Sequence, residues 1–347
     1  MSEINIHPKF TLQGISFHDK ASFLTLIQTR FSDSYSFLKD LLDESATISV
    51  HTSGSTGAPK DISISKKAML NSAKATGLFF NLPAKTKALH CLSTEYIAGK
   101  MMWVRAIYLG WELAVVQPNS NPLKENVLSF DFAAMVPLQA QNSLHDLNRI
   151  DKLIIGGGSI SFSLEKELVK LKTTVFQTYG MTETITHVAV KKISNNRENL
   201  YKSLPNVKLS LDDRACLIID APNVSDKIVI TNDLVKLHSN TQFEWLGRID
   251  NVINSGGIKF FPEQIEKKLA PFIINPFIIT SLPDTILGEK LILLIETSTK
   301  DIELNSPFFT KVLSKYEIPK AIYYINEFVY TSNSKIKRTD TLQLIHK

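Results

Sequence analysis

Ten consecutive residues, His51 to Lys60, read His-Thr-Ser-Gly-Ser-Thr-Gly-Ala-Pro-Lys and constrain this chain more than any other stretch. Gly54 and Gly57 let the backbone turn tightly and bring its N–H groups close to a ligand. Thr52, Ser53, Ser55 and Thr56 add hydroxyl donors, and Lys60 adds a positive charge. A polyphosphate suits that combination. The run is not a Walker A loop, because only two residues separate its glycines and Lys60 is followed by Asp61. Taken alone it also fits an ordinary Ser/Gly-rich surface loop, so the reading depends on what else the chain carries.

At 347 residues the chain has room for two domains, and 44% hydrophobic with 21% charged residues is the composition of a soluble globular enzyme. It has no run of eighteen apolar residues, and its first residues lack a basic segment followed by an apolar one. The expectation is therefore a cytoplasmic protein with neither membrane span nor signal peptide. Cys91 and Cys216 lie far apart without metal-ligand spacing, which predicts buried, inert thiols in a reducing compartment. The formal charge of +5 is spread along the chain rather than massed, so anionic small substrates explain it as well as nucleic acid does. The densest basic cluster is Lys335, Lys337 and Arg338.

Apolar spacing predicts helices within Ala21 to Leu42, a helix over Lys66 to Phe80 capped by Ser65, and helices near Leu138 to Leu147 and Ser163 to Leu171. Strands are predicted at Ala88 to Ser93, Glu112 to Gln117, Asp131 to Val136, Lys152 to Ile155 and Thr174 to Gln177. Strands alternating with helices argue for an α/β fold with largely parallel sheets. Val207 to Leu211, Ala215 to Ile219 and Ile228 to Thr231 then read as strands of a small β-rich subdomain. Further on, Pro262 can open a helix in which Ile265 and Leu269 share a face.

The strand ending at Gln177 delivers Thr178-Tyr-Gly-Met-Thr-Glu183. Tyr179 beside Gly180 makes a flat surface for a purine, Thr182 can donate to a phosphate, and Glu183 offers a hard oxygen ligand for Mg²⁺. Downstream come Thr231-Asn-Asp233, then Phe243 to Glu266 with its Asn-Ser-Gly-Gly-Ile-Lys turn, and finally Tyr330-Thr-Ser-Asn-Ser-Lys-Ile-Lys-Arg338. In that order these segments resemble the acyl-adenylate-forming superfamily of acyl-CoA synthetases, adenylation domains and luciferases. In that family the phosphate loop reads Thr-Ser-Gly-Ser/Thr-Thr-Gly-x-Pro-Lys.

The resemblance implies a large adenylating domain over residues 1–249, binding ATP and acid, and a mobile α+β domain over 250–347. It places ATP against Thr52 to Gly57, Lys60, the bare backbone of Gly157 and Gly158, Thr178 to Gly180, and Thr182. Asp233 would accept from the ribose hydroxyls and Arg248 would bond the ribose, with Glu183 near Mg²⁺. Lys335 takes the position of the lysine that reaches the α-phosphate, with Thr182 and Glu183 as its catalytic companions. Asp250 becomes the hinge, and Gly256 and Gly257 face CoA. The acid side falls on Tyr96, Lys100 and Arg105; Arg105 lies six residues beyond Gly99, where 2-succinylbenzoate CoA ligases carry a basic residue, and its alternative is a helix-surface arginine. Departures are Tyr96 for a common His, Asn232 and Ser334 for glycines, and a shortened segment ahead of the phosphate loop that a homo-oligomer could cover.

The function implied is an AMP-forming CoA ligase for a carboxylic acid, 2-succinylbenzoate in menaquinone biosynthesis being the favoured substrate. Alternatives are another aryl or short-chain acid, a non-catalytic nucleotide-binding relative, or an adenylation partner that loads a carrier protein. Neither nucleic acid nor membrane is an expected partner.

Overall fold

A computed structural model describes residues 4–52, 60–124, 127–195, 199–299, 306–331 and 336–346. Local chemistry sets the clearest helix boundaries. Asp19 accepts from the Ser22 N–H to start Lys20–Arg30, and Ser65 accepts from Ala68 N to start Lys66–Phe80, where Asn81 in the left-handed region ends the helix. The helix expected near Leu138 to Leu147 is shorter, Pro137–Asn142, followed by a turn of 3₁₀ helix at Leu147–Arg149. The Ser143 hydroxyl at its end donates to the Asn121 side chain.

The parallel strands run in the spatial order Glu112–Val115, Lys87–His90, Phe130–Met135, Ile150–Ile155 and Thr174–Gly180. Period-two alternation sends Ala88, Phe132, Ala134 and Ile154 into one core and Leu89, Ala133, Met135, Leu153 and Ile155 into another on the opposite face. Parallel pairing stops at Thr174–Gly180. Beyond it, His187–Lys192, Leu200–Ser203, Gln242–Arg248, Val229–Ser239, Cys216–Asp220 and Lys208–Leu211 continue the same 13-stranded sheet in antiparallel pairs. The region expected to be a small β-rich subdomain supplies strands that continue that ladder. Its strand Val229–Ser239 runs for 11 residues where only the first few were legible.

A second sheet forms from Ile253–Ser255, Ile258–Phe260, Phe277–Asp284, Gly288–Glu296 and Ala321–Ile325. It has its own apolar clusters on its two faces, one of them closed by Ile265 and Leu269 of helix Pro262–Leu269. Glu266 of that helix accepts two hydrogen bonds from Arg338, at 2.8 and 2.7 Å, and Arg338 also donates to the Ile279 carbonyl at 2.9 Å. This bidentate pair fastens the last helix, Arg338–Leu342, to the sheet.

Candidate active site

In open sheets of this kind, ligands collect at the carboxyl ends of the parallel strands. Here those ends carry one group of the residues singled out from the sequence. Lys87–His90 leads into the turn that ends at Tyr96 and the helix that carries Lys100, Ile150–Ile155 into Gly156 to Gly158, and Thr174–Gly180 into the 3₁₀ turn Thr182–Thr184. Gly157 has φ +80°, a conformation that favours glycine, and a Cβ on Gly156 would displace the Thr178 hydroxyl from its place beside that strand end. Glu183 is exposed and has no hydrogen-bond or ion-pair partner among the described residues.

One polar network joins segments that are far apart in the chain. The Tyr179 hydroxyl donates to Asp233 Oδ2 at 2.7 Å, and Trp245 Nε1 donates to Oδ1 at 3.1 Å. Strand register sets Asp233 opposite Arg248, whose guanidinium stands 3.8 Å from Asp233 and donates to Asp250 at 2.9 Å. Asn232 also donates to Asp250. Burial, and then the Asp233 carboxylate, push the Tyr179 phenol pKa up, so it stays a donor. Its ring packs edge-on against Tyr201 and Phe243. Each Asp233 oxygen keeps further lone-pair capacity for a ligand hydroxyl.

A second network surrounds Arg105 on helix Ile97–Leu109. A Cβ on Gly99 would collide with the Ser93 carbonyl, so the helix begins tight against the preceding turn. Lys100, half-buried with its pKa lowered by desolvation, donates to the Thr94 and Glu95 carbonyls and lies over the Phe37 ring. Tyr96 is 45% exposed. Arg105 is not the helix-surface arginine of the alternative reading; it is only 2% exposed. Its Nη2 donates to Thr186 Oγ1 at 3.2 Å, its Nη1 meets the Met102 sulfur at 3.7 Å, and its Nε is unpartnered. No carboxylate among the described residues pairs with it. Burial brings its pKa down to about 10. His187 stands beside it, held well below its usual pKa by burial and then by Arg105, with Nε2 3.4 Å from Thr76 Oγ1. Ser72 Oγ lies 3.3 Å from Thr186 Oγ1. Ser72 and His187 also line a cavity of about 260 Å³ beside helix Lys66–Phe80.

The remaining predicted residues stand apart. Thr52 and Lys60 are cross-strand partners at the end of a hairpin, while Ser53 to Gly57 and Lys335 lie outside the described residues. Gly256 and Gly257, with φ +60° and +80°, form the two-residue turn between Ile253–Ser255 and Ile258–Phe260, and Gly256 N–H donates to the Leu287 carbonyl. The described contacts do not join that turn to either network. Sequence reasoning missed Trp245, Thr186 and His187, although Thr186 and His187 lie three and four residues beyond Glu183. Cys91 and Cys216 are free and buried, with the Cys91 thiol pushed up to about 12 by burial.

A family model described as AMP-binding enzyme matches residues 38–226. The 2-succinylbenzoate–CoA ligase of Bacillus cytotoxicus is 22% identical over 380 aligned positions, covering 98% of this chain and 76% of that protein. Its Lactococcus lactis namesake is 23% identical, over 93% of this chain and 79% of its own. Among solved structures, the acyl-CoA synthetase (AMP-forming)/AMP-acid ligase II-like protein of Dyadobacter fermentans is 38% identical with a TM-score of 0.62, over 92% of this chain and 98% of that one. Bacillus subtilis o-succinylbenzoate coenzyme A synthetase, in complex with ATP and magnesium, shares the fold at 17% identity and TM-score 0.74, over 93% and 82%.

Proposed function

We propose a function from one premise: this chain belongs to the AMP-binding enzyme family. It is an AMP-forming acyl-CoA ligase, and its acid is 2-succinylbenzoate. The observation that carries the reading is the convergence of Tyr179, Asp233 and Arg248 beside the carboxyl ends of the parallel strands. Segments 54 residues apart in sequence meet there in one polar network, with a carboxylate and a guanidinium side by side. Names of relatives favour the diacid, and so does a buried guanidinium at Arg105 that pairs with no carboxylate among the described residues.

The chemistry overcomes a poor leaving group. A carboxylate attacks the α-phosphorus of ATP, giving an acyl-AMP and pyrophosphate, and a CoA thiolate then displaces AMP. The ribose hydroxyls donate to Asp233, with Arg248 at the same end, and the bare backbone of Gly157 and Gly158 lets the adenine and acyl group lie close. Thr52 to Gly57, Lys60 and Thr182 donate to phosphate oxygens, and Lys335 neutralises charge shared between attacking and leaving oxygens. The unpartnered Glu183 carboxylate fits Mg²⁺, a hard cation that takes most of its other oxygens from phosphates and water. When bound, the ion supplies further charge neutralisation.

Lys100 and Tyr96 border the acid side, and Arg105 receives the second carboxylate, which would be costly to desolvate without a cation. For the thiol step, residues 250–347 swing about Asp250 and bring Gly256 and Gly257 toward the pantetheine arm. The test is pyrophosphate exchange with a panel of acids, followed by thioester formation with CoA or a carrier protein as acceptor. Exchange dependent on 2-succinylbenzoate, with CoA as the acceptor, is expected. Exchange only with other acids would overturn the substrate, and a carrier protein as the sole acceptor would overturn the ligase reading.

A further inference from the structure

We propose that Thr186 is a positioning residue for the acid substrate, its hydroxyl fixing the Arg105 guanidinium from a strained turn centred on Ile185. Ile185 has φ 66° and ψ −64°, and the Thr186 N–H donates to the Thr184 carbonyl at 2.8 Å, which closes a γ-turn of the rare positive-φ kind. A β-branched residue in that conformation persists only where its surroundings over-determine it. They do so here. The Ile185 side chain is 4% exposed in the core, and the fully buried Thr184 hydroxyl bonds the Met181 and Thr186 carbonyls. Gly180 has no Cβ, which is what lets the Thr186 carbonyl close onto it.

The turn therefore links two ends of the site. One end continues from Thr182 and Glu183; the other delivers Thr186 Oγ1 to Arg105 Nη2. That hydroxyl is the only oxygen bonded to Arg105 among the described residues, and Ser72 Oγ stands 3.3 Å from it on its other side. A guanidinium has five donors in a planar fork. Held through Nη2 by Thr186 and through Nη1 by the Met102 sulfur, with no carboxylate among the described residues to satisfy the rest, it keeps a fixed orientation and an unpartnered Nε for an anionic group. This inference rests on the reading that the acid carries a second carboxylate.

The experiment compares Thr186→Val, which keeps the shape and loses the acceptor, with Thr186→Ser, which keeps the acceptor. Pyrophosphate exchange is measured with 2-succinylbenzoate and with its two monocarboxylic analogues. Thr186→Val should raise the KM for the diacid on the order of tenfold to a hundredfold, as loss of a hydrogen bond to a charged group does, with kcat and the KM for ATP little changed. Thr186→Ser should restore most of the loss, and the analogue that lacks the clamped carboxylate should be insensitive. Equal effects on that analogue, a parallel rise in the KM for ATP, or failure of serine to rescue would overturn the role. If wild-type protein exchanges with no acid at all, the ligase reading falls and takes this one with it. Exchange by wild type and an indifferent Thr186→Val overturn this inference alone.

Discussion

On the proposed reading, Arg105 serves the substrate at the expense of the fold. A buried guanidinium without a carboxylate leaves several kcal/mol of desolvation uncompensated, and replacing such a charge by an apolar side chain of similar length is often stabilising. Arg105→Met should therefore raise stability by about 1–2 kcal/mol in urea titration while abolishing use of the diacid. A stability loss together with unchanged diacid kinetics would make the arginine structural. Lys335 is the opposite case, a terminal lysine whose proposed worth is chemical. Lys335→Ala should slow adenylation on the order of a hundredfold or more and leave thioester formation from supplied acyl-AMP mostly intact. Comparing the two half-reactions checks this, and equal loss in both would remove the assignment.

Among the elements, the sharpest constraint is the closure of the Met181 to Thr186 segment on Gly180. A Cβ there meets the Thr186 carbonyl and the His187 backbone, neither of which is a flexible side-chain end. Gly180→Ala should cost about 3 kcal/mol or more, in the range of other steric insertions into packed backbone. Gly257→Ala, in open space but at φ +80°, should cost only about 1–2 kcal/mol. Thermal melts of the pair test the difference. The same contrast explains what was legible in the sequence. Lys66–Phe80 and Pro262–Leu269 could be read because their caps are local, a serine hydroxyl in one and a proline at the first turn in the other. Tyr179 and Asp233 were nameable singly through resemblance to known motifs. Their hydrogen bond, the Trp245 contribution and the continuation of the sheet past Gly180 depend on strand pairing across many residues, which no local pattern encodes. Arg105 could not be read as buried, because lone arginines normally face water.

At the scale of the whole molecule, two buried histidines set a pH limit on stability. His90 is held down to about 3 by burial, and His187 lies well below its usual value for the same reason. A neutral folded histidine whose unfolded pKa is about 6.5 contributes stability that is complete above that pH. As pH falls below 6.5 the unfolded chain binds the proton first, so stability is lost at up to about 1.4 kcal/mol per pH unit for each residue. Urea midpoints should fall steeply between pH 6.5 and pH 5, and a flat profile there would show that neither ring stays neutral. The Glu266 and Arg338 pair bears on a different clock, the order in which the chain leaves the ribosome. Everything that builds the 13-stranded sheet is synthesised by Arg248, and its residues can pair while translation continues. Helix Pro262–Leu269 carries a carboxylate whose bidentate cation arrives 72 residues later. The Glu266–Arg338 contact therefore cannot form until all the strands of both sheets have been made.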